Sequence, residues 1–176
     1  MKYITKILLV FGILASSLQL VGLAWATDPT LGTVTATVTA QNISVSLDNG
    51  DGVSFGTIGT SSTKNTTTNG VNDSTTATNN GNITEKFNIK SENTASGNWT
   101  LGATAGSETY TMKFCTATCD STPSWTSVGI SPSYEVLAAS VATSGTQVFD
   151  LQVGTPTVTT HYDAQTITVT IQATTP

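Results

Sequence analysis

Apolar and polar residues alternate along most of the chain, with the two-residue period of a half-buried β-strand. The alternation is clearest over residues 83–89, 99–103, 110–114, 149–153 and 167–171. Residues 125–128 are expected to return as a hairpin, and residues 134–141 fit either a strand or one short helical turn. The pattern predicts an all-β fold, an antiparallel β-sandwich of jelly-roll or immunoglobulin-like type with about 8–10 short strands.

The first stretch of alternation changes phase partway along. Its apolar residues occupy even positions at first (Val34, Ala36, Val38, Ala40) and odd positions afterwards (Ile43, Val45, Leu47). A shift of one residue turns a whole strand face outward, so the chain must bend or bulge near residues 41–42. Two consecutive strands are therefore predicted, over residues 32–40 and 42–48.

Two polar stretches follow these strands. Residues 48–52 (Asp-Asn-Gly-Asp-Gly) predict a turn, with a calcium loop as the less favoured alternative, because the spacing of an EF-hand is missing. Residues 57–81 are almost entirely Ser, Thr, Asn and Gly, which predicts a long polar loop or an exposed extended edge. In one interpretation this loop is the binding loop of a monomeric adhesin.

Six aromatic residues on the alternating segments are the predicted core: Phe55, Phe87, Trp99, Phe114, Trp125 and Phe149. The same residues fit the lining of a binding groove, but large apolar side chains on alternating strands are more often buried. A second set of aromatics matters for a different reason. Exposed, coplanar rings among Tyr110, Trp125, Tyr134 or Tyr162 would favour a carbohydrate-binding module.

The first 26 residues have the pattern of a secretory signal peptide. Lys2 and Lys6 precede an apolar run over residues 7–14, and Ala24-Trp25-Ala26 supplies the small residues that signal peptidase requires. A retained membrane anchor is less favoured, because the apolar run is short. We expect cleavage before Thr27, which leaves one β-sandwich domain over residues 27–176 that is secreted or held at the cell surface.

The predicted mature chain is acidic and poor in charge. It keeps four lysines, no arginine and all 11 acidic residues, a formal net charge of −7. Such a chain is repelled by nucleic acid and by anionic lipid, so neither is an expected partner, and no membrane association is expected after signal cleavage.

Cys115 and Cys119 are the only cysteines, and in an exported chain they predict a structural disulfide. A redox pair normally has two intervening residues, and half a metal site would need further ligands. His161 is the lone histidine, and no G-x-S-x-G motif accompanies it. The glutamates show no marked pair for glycoside hydrolysis. No enzyme activity, metal or cofactor is therefore expected.

Two stretches of sequence resemble WxL-type surface domains. Trp99 and Leu101 reproduce the internal Trp-x-Leu motif, and residues 162–176 resemble the terminal strand that runs from a Tyr to a closing Pro. In that second stretch Val169 stands where the family has a tryptophan, and Ile171 where it has leucine. The resemblance implies attachment to the cell wall, and the substitutions remove part of its basis.

The general layout also resembles TasA-type biofilm fibre subunits and bundling pili. That resemblance implies an exported jelly-roll-like domain whose N-terminal strand completes the sheet of the next subunit. The corresponding donor strand is residues 31–40, with Val34, Ala36, Val38 and Ala40 on its apolar face. Strand addition of this kind gains main-chain hydrogen bonds and buries one face of the strand. The other interpretation is that the segment folds onto its own sheet.

Together these observations predict a secreted structural protein of the cell surface or extracellular matrix, self-assembling through its N-terminal strand. The alternative is a secreted module that binds carbohydrate or cell wall without catalysis.

Overall fold

The computed structural model describes residues 32–48 and 52–176. The predicted signal peptide and the centre of the predicted 48–52 turn lie outside the described residues. The chain divides into two compact units, Met1–Val38 and Thr39–Pro176. Of the first unit, residues 32–38 are described, and all of them are exposed and outside any strand.

The second unit contains eleven strands and, among the described residues, no helix. In chain order the strands are β1 (Val45–Leu47), β2 (Thr63–Asn65), β3 (Thr75–Asn79), β4 (Glu85–Ser91), β5 (Thr100–Leu101), β6 (Thr109–Cys115), β7 (Thr126–Ser127), β8 (Gly129–Ile130), β9 (Glu135–Val141), β10 (Thr146–Gly154) and β11 (Val169–Thr174). The prediction of an all-β chain is confirmed. Residues 134–141, which fitted strand or helix, contain β9.

A seven-stranded sheet is built around the longest strand, β10, in the order β1-β3-β10-β6-β5. β3 and β2 pair successive parts of one edge of β10, and β6 pairs the other edge. β7 pairs β6 in antiparallel orientation beyond the cysteine loop, as the sequence predicts. β1 pairs only β3 and is the outermost strand.

The second sheet has four strands centred on β4. β11 pairs one edge of β4 over six residues, from Val169 opposite Ser91 to Thr174 opposite Lys86. β9 and β8 share the other edge, and the β4–β9 ladder has two register shifts. β11 therefore forms a long, regular outer strand, whereas the opposite side of this sheet is irregular.

Strand direction departs from the predicted sandwich. Seven of the nine strand pairs are antiparallel, but β4–β8 and β5–β6 are parallel. Both parallel pairs involve a strand of two residues. Alternation in sequence identifies the faces of a strand and carries no information on its direction, so the sequence could not distinguish these mixed sheets from purely antiparallel ones.

The core lies between the sheets and contains three of the six predicted aromatics, Phe87, Phe114 and Phe149. Phe55 and Trp99 are partly buried against it, and Trp125 lies outside the cluster. Tyr110 is fully buried, although its sequence context did not single it out as core. A tyrosine hydroxyl is tolerated there because it finds partners in the Ser91 hydroxyl and the Glu92 carbonyl.

Residues 57–81, predicted as a polar loop or an exposed extended edge, contain β2 and β3, and β3 lies inside the sheet between β1 and β10. Polar side chains next to these two strands have hydrogen-bond partners, and Thr66 among them is fully buried. The Thr66 hydroxyl donates to Asp150 Oδ1 at 2.8 Å and accepts from the Leu151 N–H at 2.8 Å, and the Ser74 hydroxyl donates to the same Asp150 oxygen at 2.7 Å. Composition alone suggested a segment with too little to bury, but these threonine and serine side chains are satisfied within the fold.

Asn79, at the end of β3, is a fully satisfied buried amide. Its Nδ2 donates to the carbonyls of Ile83 and Val141, each at 2.9 Å, and its Oδ1 accepts from the Gly81 N–H at 2.8 Å. The side chain is 1% exposed. It therefore joins β3, the β3–β4 turn and the end of β9.

We expect Asn79→Ala to lower the free energy of unfolding by about 3 kcal/mol, because two carbonyls and one N–H lose their partner in a dry environment. The matched control is Asn80→Ala, since that neighbouring amide is exposed and bonds only the Ser46 hydroxyl. Its expected cost is below about 1 kcal/mol. Urea denaturation of both variants measures the difference, and equal losses would contradict this role of Asn79.

Candidate functional site

The segment before β1 is exposed along its whole described length. Residues 32–40 are in no strand, and the side chains of Val34 and Val38 are 95% and 97% exposed. These are two of the four residues of the predicted donor face, and Ala36 and Ala40 are also exposed. Exposed valines at this spacing, with only threonine and alanine around them, form an apolar strip that the isolated chain leaves in solvent.

Asn82 clamps the chain immediately after this strip. Its Oδ1 accepts from the Asn42 N–H at 2.8 Å, its Nδ2 donates to the Ala40 carbonyl at 2.8 Å, and its own N–H donates to the Asn42 carbonyl at 3.1 Å. One side chain thus substitutes for a strand partner over residues 40–42. The predicted bend near residues 41–42 coincides with this clamp.

Glu85 holds Ser44, which lies two residues after Asn42. Its Oε1 accepts from the Ser44 N–H at 2.8 Å, and the whole side chain is buried. Gly81 makes this approach possible, because a Cβ there would lie 2.1 Å from Glu85 Oε1 and 2.4 Å from the Asn42 carbonyl oxygen. The Ser44 N–H, immediately before β1, is therefore held by the buried carboxyl group of Glu85. The second oxygen of Glu85, Oε2, has no hydrogen-bond partner.

β11 presents the complementary feature, an apolar row that is only partly covered. Ile167, Val169, Ile171 and Ala173 pack against the core, yet all four remain half-buried. One edge of β11 pairs with β4, and no described strand pairs with the other edge. The Thr168 and Thr166 carbonyls accept from the Ser91 hydroxyl and the Ala95 N–H, which extends this strand-like path beyond the N-terminal end of β11.

The disulfide between Cys115 and Cys119 is confirmed, with a Cα–Cα distance of 5.8 Å. It closes the loop after β6. Asp120, beside it, accepts from the Thr68 N–H at 2.7 Å and from the Thr68 hydroxyl at 2.8 Å, and these bonds lower the pKa of its carboxyl group. The bridge and Asp120 together hold the loop against residues 66–68, a structural task.

The Trp-x-Leu motif contributes to packing. Leu101 is 8% exposed in the core, and Trp99 is half-buried with its Nε1 donating to the Thr159 hydroxyl at 2.9 Å. The Thr159 hydroxyl donates in turn to Glu108 at 2.7 Å. That bond, followed by the one from the Thr160 N–H, lowers the pKa of Glu108.

Other predicted functional residues are dispersed. Asp48 accepts from the Thr76 N–H at 2.7 Å and so helps pair β1 with β3, while residues 49–51 of the candidate calcium loop lie outside the described residues. Tyr162 is 82% exposed, but Tyr110 is buried, so the four aromatics do not form one exposed plane. Burial raises the pKa of Tyr110.

Within residues 32–48 and 52–176, no three His, Cys, Asp or Glu side chains come together as a metal site. No helix of the described part is long and apolar enough to cross a membrane. Comparison with known proteins found no match to a family, to a curated protein or to a solved structure.

Sequence reasoning singled out the apolar residues of the exposed segment and missed the clamp that follows it. Asn82 lies in a polar turn, where nothing distinguishes it from its neighbours Asn79 and Asn80. Glu85 is the first residue of an alternating strand, and a charged residue at that position suggests solvent. The one available signal was the phase change near residues 41–42, which marked the place that the clamp holds.

We expect Asn82→Ala to lower the free energy of unfolding by about 1–2 kcal/mol and to speed amide exchange at Asn42, because both side-chain bonds are lost. Asn82→Asp tests the two bonds separately, since it keeps the acceptor for the Asn42 N–H and loses the donor to the Ala40 carbonyl. Its effect on the Asn42 amide should be the smaller. NMR hydrogen exchange on both variants decides, and unchanged protection at Asn42 in Asn82→Ala would contradict the clamp.

Proposed function

We propose that this protein is an exported structural subunit of the cell surface or extracellular matrix, and that it self-assembles by donating residues 31–40 as a strand to a neighbouring copy. The observation that carries the proposal is the exposure of Val34 and Val38 in an uncharged, alternating segment. Such a segment gains most by pairing with a sheet edge.

Two terms favour pairing of this segment: burial of its valine side chains and a ladder of main-chain hydrogen bonds. The loss of conformational entropy on ordering the segment opposes them. The anchors at Asn82 and Glu85 fix the C-terminal end of the segment in advance and so reduce the entropy that pairing costs.

The disulfide and the low charge support export. A Cys115–Cys119 bridge is favoured in an oxidising compartment. Of the two families that the sequence resembles, TasA-type fibre subunits fit this proposal better. The leucine of the Trp-x-Leu motif, Leu101, is buried in the core and is therefore not presented to a cell wall. We also propose that the domain is an antiparallel sandwich of jelly-roll or immunoglobulin-like type; its seven antiparallel strand pairs support this, and its two parallel pairs do not.

The alternative of carbohydrate or cell-wall binding has weaker support. It is favoured by exposed, coplanar aromatic rings, and of the four candidates Tyr110 is buried, Trp125 and Tyr134 are half-buried, and Tyr162 is exposed. No cofactor and no catalytic step enter the proposed function.

We expect Val38→Asp, in the predicted mature chain from Thr27, to raise the concentration needed for assembly by at least about tenfold, because pairing would bury a carboxylate without a partner. Thr37→Asp is the matched control, since its side chain points to the opposite face of the same strand. Both positions are exposed in the isolated chain, so neither change should alter the stability of the monomer.

Size-exclusion chromatography and negative-stain microscopy measure the assembly of these variants, beside a chain that starts at Gln41. Fibres or ladders that persist in Thr37→Asp and disappear in Val38→Asp and in the truncation support strand donation. A wild-type chain that stays monomeric at all concentrations would contradict the proposed function.

A further inference from the structure

We propose that the acceptor for the donated strand is the free edge of β11 in a second copy of this chain, where residues 33–40 pair with residues 167–174. This inference rests on the proposed function and specifies the site that it requires. Two features of β11 carry it: an unpaired edge and a half-covered apolar row.

The two apolar rows match in number and spacing. The donor offers Val34, Ala36, Val38 and Ala40, and the acceptor offers Ile167, Val169, Ile171 and Ala173. In each row the apolar residues recur every second position. An antiparallel register with Thr37 opposite Thr170 therefore puts both apolar rows on the core side of the sheet. The intervening residues (Thr35, Thr37 and Thr39 in the donor, Thr168, Thr170 and Gln172 in the acceptor) then share the opposite, polar face.

The β11 edge also lacks the devices that usually prevent strand addition. Between Gln165 and Thr175 there is no charged residue and no proline. Free edges of soluble proteins are commonly protected by lysine, proline or a bulge, and an unprotected edge of this length accepts another strand. The donor carries no charge from Leu31 to Ala40, so pairing brings no like charges together.

The other free edges of the described strands are poorer acceptors. β1 has three residues, and β5 and β7 have two each. β9 has seven residues, but it begins at Glu135 and its ladder with β4 is broken by two register shifts. A bulged strand twists away from a regular partner. β11 is the longest regular free edge that the structure describes.

The position of β11 explains why its apolar side chains are only half-buried. It lies next to β1, the outermost strand of the other sheet, so the two open edges of the sheets meet on one side of the molecule. A strand added to β11 at this side covers Val169 and Ile171, which are otherwise half-buried. Among the described strands, β11 pairs only with β4.

Thiol cross-linking between two singly substituted proteins tests the acceptor. One protein carries Thr37→Cys in the donor, and the other carries Thr170→Cys in β11. Adjacent paired strands lie about 5 Å apart, within the Cα separation that a disulfide spans. Both substitutions are on the polar face of the proposed antiparallel pair, and Thr35→Cys with Gln172→Cys, two exposed positions that face each other in the same register, serves as a second pair.

The matched controls pair Thr37→Cys with Ser46→Cys on β1 and with Ser140→Cys on β9, both exposed. We expect the β11 pair to form the mixed dimer faster than either control by at least about tenfold, since pairing raises the effective concentration of the two thiols. The native cysteines do not interfere because they are already joined to each other.

Two failures are distinguishable in the same samples by microscopy. If fibres form and the β1 or β9 pair cross-links as fast as both β11 pairs, the acceptor is wrong and the proposed function stands. If no assembly forms and no pair cross-links above the rate of free thiols, both the acceptor and the proposed function are overturned.

Discussion

Every β-strand carries two rows of main-chain donors and acceptors, and the second sheet of this protein leaves one of those rows open along β11. The rest of the account depends on this open row. Beneath it, the apolar side chains of β11 reach the core without being fully covered. At the other end of the chain, residues 32–40 carry an apolar strip with no cover at all. In the proposed assembly, the segment of one copy would cover the β11 edge of the next.

In this fold, side-chain hydroxyl and amide groups make many of the hydrogen bonds that join distant segments of the chain. Thr66, Ser74 and Asp150 tie a serine- and threonine-rich stretch to the central strand β10, and Asn79 joins three elements with one side chain. Buried polar groups of this kind are stabilising only when all their bonds are made, which fixes a single arrangement. Before β1, the exposed amide of Asn82 and the buried carboxyl group of Glu85 also hold the chain by side-chain hydrogen bonds. These bonds therefore hold the C-terminal end of the exposed segment.

The sequence predicted the faces of the strands well and their partners poorly. Alternation located β4, β6, β10 and β11 and most of their buried residues, because burial of one face imposes a period of two. It could not indicate that β5 and β8 run parallel to their neighbours, which depends on contacts distant in sequence. It also left residues 57–81 as a loop or an exposed edge, because the partners that satisfy Thr66 and Asn79 lie far along the chain. The apolar row of residues 34–40 was visible in the sequence, and the clamp that follows it was not.

Hydrogen exchange of residues 33–40, followed by mass spectrometry before and after assembly, tests the central claim most directly. The account predicts that these amides exchange at the rate of an unfolded peptide in the monomer. In the assembled protein they should be protected as strongly as the amides of β4, since they have become part of a sheet. Rapid exchange of residues 33–40 in the assembled protein would contradict the account, and so would strong protection of the same residues in the monomer.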